Sequence, residues 1–354
     1  MPSLRPTALI LTLALCLTGL VGAAHAQPAA EPVVPDTPGS GPYPALKEEV
    51  ASLPDHVIYR PAKLDAIRPK QMGLYLFGNG ACSDDGASSR MHLLEIASHG
   101  YVAIALGRIR TGPGVTQPME PPGPRQTDAK GQPIFPPPPT SHKGLMWAMD
   151  WALAQNADPK SPYFGKLDPS AIAVSGFSCG GIQALRVAPD PRIKTVIVMN
   201  SGLFVPGTGP QHTEMSQPKS LLDQIKVPAL YVLGGPTDIA HANGLDDFNR
   251  INHVPVAFAD LKGVGHGGTY MQPNGGKAAD AVVAWLNWQL RGDKEAAKAY
   301  VGANCGLCTD AAWELVNEFT RYVRESGTED EAKAVAAITR RLSAWGVAHT
   351  VHHP

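Results

Sequence analysis

The sequence predicts an α/β fold, a mainly parallel, doubly wound sheet with helices on both faces, and three observations carry that expectation. Short apolar runs alternate with helix-length amphipathic segments along most of the chain. The runs are apolar at consecutive rather than alternate positions, the pattern of strands buried on both faces. Enough chain separates one run from the next for a crossover helix, and that repetition builds a parallel sheet.

The elements follow in order. Residues 27–54, rich in Pro, Ala, Gly and Glu with little periodicity, read as a flexible N-terminal arm. The first strand run is 73–77, followed by a helix at 88–99 and a strand at 101–106. A helix at 141–155 leads to a strand at 171–175, a helix from about 180 and a strand at 195–199. A strand at 229–233, a helix at 243–251, a strand at 254–258 and a long helix at 277–290 complete one domain over residues 55–302.

Two segments break the rhythm. Residues 108–140 hold ten prolines, among them Pro136 to Pro139; proline lacks a backbone donor and fixes φ, so this is a long loop or lid. Residues 203–219 are also loop-like and follow a strand. Loops at the carboxyl ends of parallel strands surround the ligand crevice, so both insertions are placed to shape a cleft. Residues 303–354 read as a C-terminal helical extension: Ala312, Trp313, Leu315, Val316, Phe319, Tyr322 and Val323 have helical spacing, and a second helix is expected at about 329–345.

Composition narrows the function classes. Arg5, the apolar run 8–22 and the small residues flanking His25 in Ala24-His25-Ala26 read as a signal peptide over residues 1–26. Its apolar core falls short of the roughly 20 residues that span a bilayer, and no later stretch is as long and apolar. The expected location is secreted or periplasmic, without stable membrane insertion. Thirty basic against thirty-one acidic residues, with no basic block, argue against a nucleic-acid partner. Beyond Cys16 the chain has Cys82, Cys179, Cys305 and Cys308, an even number in an exported protein, which allows disulfides.

The sharpest chemical signal is Gly176-Phe177-Ser178-Cys179-Gly180, preceded by an apolar strand and followed by a helix opening with small residues. That is the context of a nucleophile elbow, with Ser178 as nucleophile. Serine needs a base and an orienting acid, in the chain order serine, acid, histidine. His266 lies in a glycine-rich loop beyond one strand and Asp238 just beyond the strand before it. His241 is the rival base. Asp246, Asp247 and Asp260 are rival acids, the first two expected on a solvated helix face. An oxyanion hole would take one donor from Cys179 N–H and a second from the loop Gly78 to Gly86, with Cys82 N–H favoured and Ala81 as runner-up. Such acyl transfer requires no metal or organic cofactor. Trp147, Trp151, Trp285 and Trp288, spaced by four and three, fit core packing better than a sugar platform.

From about residue 55 to 302 the chain resembles the α/β-hydrolase superfamily, and within it the branch of dienelactone hydrolases, cutinases and bacterial polyester hydrolases. The run Arg90 to Val102, with Ala97-Ser98-His99-Gly100-Tyr101-Val102, and the run Trp285 to Asp293 carry the likeness. The resemblance implies an α/β-hydrolase fold and a secreted serine esterase, with Ser178, Asp238 and His266 matching the triad and Cys82 and Cys179 the oxyanion residues. The substrate would be a small or polymeric ester such as an acylated polysaccharide, a feruloyl ester or a polyester. Alternatives are a serine peptidase of the same fold and a non-catalytic binding protein on a hydrolase scaffold. The chain departs from the polyester hydrolases in placing cysteine where they have an aromatic residue and a methionine.

Two cysteine pairings follow. If Cys82 and Cys179 flank one oxyanion hole, their α-carbons lie within disulfide range, and a bond between them would hold the hole. Cys305 and Cys308 are expected as a local disulfide or a reduced pair, since a lone C-x₂-C supplies only two of the four ligands of a structural zinc.

Overall fold

Alternate residues of each central strand enter two different cores, and that division sets the architecture. In the strands near residues 75, 103 and 197, Leu74, Leu76, Val102, Ile104, Val196 and Val198 face one core. Tyr75, Phe77, Ala103, Ala105, Ile197 and Met199 face the other. The computed structural model describes residues 34–120, 127, 137–205, 207–209, 214–302, 304–317 and 339, all within the unit Val34–Pro354.

The elements are β1 Ala45–Val50, β2 Leu53–Pro61, β3 Met72–Gly78, α1 Arg90–Ser98, β4 Tyr101–Leu106, α2 His142–Ala157, β5 Leu167–Phe177 and α3 Cys179–Val187. They continue with β6 Thr195–Met199, β7 Ala229–Leu233, α4 His241–Arg250, β8 Val256–Leu261, α5 Gly276–Arg291, α6 Lys294–Ala297, α7 Gly306–Thr309 and β9 Trp313–Asn317. Nine strands form one mixed sheet in the order β1-β2-β4-β3-β5-β6-β7-β8-β9. From β4 to β8 every pairing is parallel. β1–β2, β2–β4 and β8–β9 are antiparallel.

Helices α2, α3 and α4 contribute Leu145, Met149, Ile182, Leu185 and Phe248 to the first core, and α1 and α5 contribute Leu93, Ile96, Val282, Trp285 and Leu286 to the second. The sheet is thus covered on both faces, an α/β arrangement. Parallel strands put their carboxyl ends on one edge, so the turns after β3, β5, β6, β7 and β8 meet there, around the central β5.

Three expectations require correction. The sheet begins at Ala45, not after residue 54. β1 carries Lys47, Glu48 and Glu49 and stays half-buried along its length, which is how an edge strand is kept from pairing with another chain; its charge disguised it as arm. Residues 313–317 are a strand and not a helix. Trp313 is buried and Glu314 exposed, and the strand pairs with β8 through Trp313↔Leu261 and Leu315↔Ala259, closing that strand's open edge. The expected helix at 329–345 lies, but for residue 339, outside the described residues. Among the four tryptophans Trp151 and Trp285 are buried, but Trp147 is half exposed and sets its edge against His56. No helix of the described residues is long and apolar enough to cross a membrane.

Candidate active site

Ser178 stands between the end of β5 and the first residue of α3 with φ 53° and ψ −119°, a left-handed conformation that an L-residue adopts only under constraint. Its N–H donates to the Met199 carbonyl at 3.0 Å, and the Ser178 carbonyl accepts from Ser201 Oγ at 2.6 Å. The turn closes because α3 lies directly against the ends of β3 and β5. A Cβ on Gly180 would collide with the Gly78 carbonyl, and one on Gly176 with the Gly180 carbonyl.

His266 comes from the loop after β8, held by Gly265 N–H donating to the Gly234 carbonyl at 2.7 Å. Its Nε2 lies 3.0 Å from Ser178 Oγ and its Nδ1 2.7 Å from Asp238 Oδ1. A carboxylate only accepts, so Nδ1 carries the proton and Nε2 is left to accept from the serine hydroxyl. Asp238 follows β7 and is buried. Burial by itself would raise its carboxyl. The donors His266, Ala240 N–H, Asn200 Nδ2 and Gly234 N–H outweigh that and hold it below the ordinary carboxylate range.

The rivals have other partners. Asp260 Oδ2 lies 2.9 Å from His241 Nε2, and Asp260 Oδ1 accepts from Gly235 N–H at 2.6 Å. Asp246 pairs with Lys219 and Arg250. Asp247 is not on a solvated face as expected: it is fully buried, accepts from Leu203 N–H at 2.7 Å and Lys219 Nζ at 2.6 Å, and burial pushes its carboxyl up to about 6. The described part of the 203–219 segment is therefore tied to α4 by a buried charge.

Cys82 and Cys179 form a disulfide, with α-carbons 5.2 Å apart. It joins the loop after β3 to the residue after Ser178 and is buried at both ends. Cys179 N–H is the first of α3 and has no intrahelical acceptor. Cys82 N–H, expected from the sequence as the second oxyanion donor, itself donates to the Asn79 carbonyl at 3.2 Å within the turn Gly80–Cys82. Ala81 N–H has no such backbone acceptor among the described residues, and Ala81 sits at φ 53°, which turns the loop at that point.

The proline-rich insertion ends at this loop. Thr140 N–H and Oγ1 both donate to the Cys82 carbonyl, at 3.2 and 2.7 Å, and Gln183 Nε2 of α3 donates to the Thr140 carbonyl at 3.1 Å. Residues 121–126 and 128–136 of the insertion lie outside the described residues. Cys305 and Cys308 are also joined, so neither thiolate is open to a metal. Among the described residues no three His, Cys, Asp or Glu side chains group as metal ligands.

Sequence reasoning missed Thr140, Asn200 and Tyr270. Only Asn200 left a trace, as a polar residue ending the apolar run 195–199. A scan of the chain against protein-family models finds no match, and a search of curated proteins finds no relative.

Proposed function

We propose that the chain is an exported serine hydrolase of the α/β-hydrolase fold that cleaves carboxylic esters through an acyl-enzyme. The observation that carries this reading is the line Ser178 Oγ, His266 Nε2, His266 Nδ1, Asp238 Oδ1, with contacts of 3.0 and 2.7 Å, at a strand-to-helix turn where the serine has left-handed φ.

In the proposed reaction Ser178 Oγ attacks the ester carbonyl while its proton passes to His266 Nε2. The imidazolium so formed is stabilised by the Asp238 carboxylate, which stays ionised. The carbonyl oxygen, now negative, takes Cys179 N–H at the start of α3 and Ala81 N–H from the facing loop. His266 returns the proton to the departing alcohol. A water, deprotonated in turn by His266, then attacks the acyl-serine and releases the acid. The substrate is an ester of small or polymeric form, and no step calls for a metal or organic cofactor.

The test is hydrolysis of a chromogenic acetate ester by the wild type and by Ser178→Ala, with a peptide anilide alongside. Turnover of the ester that Ser178→Ala loses, and little turnover of the anilide, supports the reading. Equal turnover by Ser178→Ala, or labelling of a different serine by an organophosphonate, removes it; preference for the anilide makes the enzyme a peptidase.

A further inference from the structure

The acid and the base of the proposed reaction arrive on separate loops, after β7 and after β8. The backbone ties the loops at one point, Gly265 N–H to the Gly234 carbonyl. That bond sets a distance, while the Ala240 and Gly234 N–H groups that orient the Asp238 carboxylate belong to the acid's own loop and do not tie it to the loop of His266.

A third loop, after β6, supplies what is missing. Asn200 is buried there at φ 44°, in the left-handed region that asparagine tolerates better than most residues. Its N–H donates to the Val232 carbonyl at 2.7 Å, which fixes its backbone on β7. Its side-chain nitrogen lies 2.8 Å from Asp238 Oδ2 and 3.2 Å from the carbonyl of Gly265, the residue before His266. Both of those partners only accept, so Nδ2 must face them, and Oδ1 is left for a donor. That donor is the Tyr270 hydroxyl, at 2.6 Å. Tyr270 is buried against Phe177 and His92, with ring centroids 4.6 and 5.8 Å away, and burial raises its hydroxyl well above its ordinary range, so it stays a neutral donor.

We propose that Asn200, braced by Tyr270, is a positioning residue that holds Asp238 and His266 in register by clamping the acid's carboxylate and the base's loop with one side-chain amide. The assignment rests on the reading of Ser178, His266 and Asp238 as the catalytic line. With Oδ2 taken by Asn200 and Gly234 N–H, the carboxylate plane is fixed and Oδ1 is presented to His266 Nδ1. The second Asn200 bond stops the His266 loop from moving away from the acid. An apolar residue of similar size would fill the space but do neither, and a carboxylate would set a second negative charge against Asp238.

The test uses the full chain, with Asn200→Ala and Tyr270→Phe beside the wild type and Ser178→Ala. Three quantities are read: kcat and KM for a chromogenic acetate ester, thermal unfolding, and the low-field proton NMR resonance of the His266 Nδ1–H bonded to Asp238. For Asn200→Ala we expect kcat to fall by about 10- to 100-fold with KM nearly unchanged, as befits loss of a hydrogen bond to a charged group, and for Tyr270→Phe a smaller fall of about 3- to 10-fold. The resonance should shift or broaden in both. A residue that served packing alone would lower thermal stability without moving the resonance. Tyr270→Phe removes one oxygen and keeps the ring, so it decides the question if Asn200→Ala does not fold.

A folded Tyr270→Phe with wild-type kcat and an unmoved resonance overturns the proposal, as does absence of the resonance from the wild type. If Ser178→Ala keeps the ester activity, the hydrolase reading fails on its own. The resonance then still judges the clamp, supporting it where the variants move the signal and overturning it where they do not.

Discussion

Asp238 and Asp260 stand at the carboxyl ends of adjacent strands, and each is bonded to a different histidine, the first to His266 at 2.7 Å and the second to His241 at 2.9 Å. Only the first histidine reaches a serine. The Asp260 pair supports the loop from below, since the same carboxylate takes Gly235 N–H while His241 N–H donates to the Asp238 carbonyl.

The two carboxylates are therefore separable by substitution. Asp238→Asn is expected to lower kcat/KM by about a thousandfold or more, because an amide cannot hold the required tautomer of His266. It should also cost about 1–3 kcal/mol of stability, since an amide nitrogen would face a backbone N–H that now donates to Oδ1 or Oδ2. Asp260→Asn should keep most of the rate. Steady-state kinetics of the two variants check this, and the reverse ranking would transfer the acid role to Asp260.

Acid should destabilise the fold through His92. This residue is wholly buried among Tyr75, Phe77 and Tyr270, its Nε2 3.0 Å from the Tyr75 hydroxyl, and burial holds its imidazole down at about 3 despite the pull of Glu95 the other way. In an unfolded chain a histidine titrates near ~6.5. The folded value is the lower one, so the contribution is whole above about 6.5 and is lost as pH falls toward 3, with a slope of up to about 1.4 kcal/mol per pH unit. Asp238, also lowered, adds a further loss as pH falls below about 4. Urea midpoints for wild type and His92→Phe between pH 7 and 4.5 should show a flatter dependence in the variant. Parallel curves would count against the assignment.

The buried Cys82–Cys179 bond closes a loop with a sequence separation of 97, against 3 for Cys305–Cys308. In the chain-entropy model the long loop contributes about 4 to 5 kcal/mol, roughly 3 kcal/mol more than the short one. A Cys82→Ala, Cys179→Ala double variant should therefore unfold at much lower denaturant than one lacking Cys305 and Cys308. It should also lose kcat, as the loop carrying Ala81 is released from α3. Peptide mapping without reductant should recover residues 82 and 179 cross-linked; equal stability and rate in the two double variants would argue against both roles.

Trp313 is buried against the second core from the last described strand. Trp313→Ala is expected to cost about 3–5 kcal/mol, the usual range for a buried aromatic residue. Chemical denaturation measures it. A cost under about 1 kcal/mol, the range of surface substitutions, would mean that β9 is dispensable.

The sequence by itself determined much of this protein. The runs 101–106, 195–199 and 229–233 are strands at those same residues, because a strand buried on both faces is apolar at every position and carries its own boundaries. The positions of Ser178, Asp238 and His266 were legible too, since each sits where a strand's apolar run breaks into glycine-rich turn. The edges of the sheet were not legible: β1 carries Lys47, Glu48 and Glu49, and β9 interrupts its apolar residues with Glu314 and Asn317, since edge strands are shaped by avoidance of partners rather than by burial. Tertiary structure alone showed that Asp238 and not Asp260 meets His266, that Cys82 N–H is bonded within its turn, and where Asn200 and Tyr270 lie. The bonds of Asp238, Asn200 and Tyr270 join groups tens of residues apart and that of Cys82 N–H closes a local turn; their rotation and separation are set by how the loops pack and leave no periodicity along the chain.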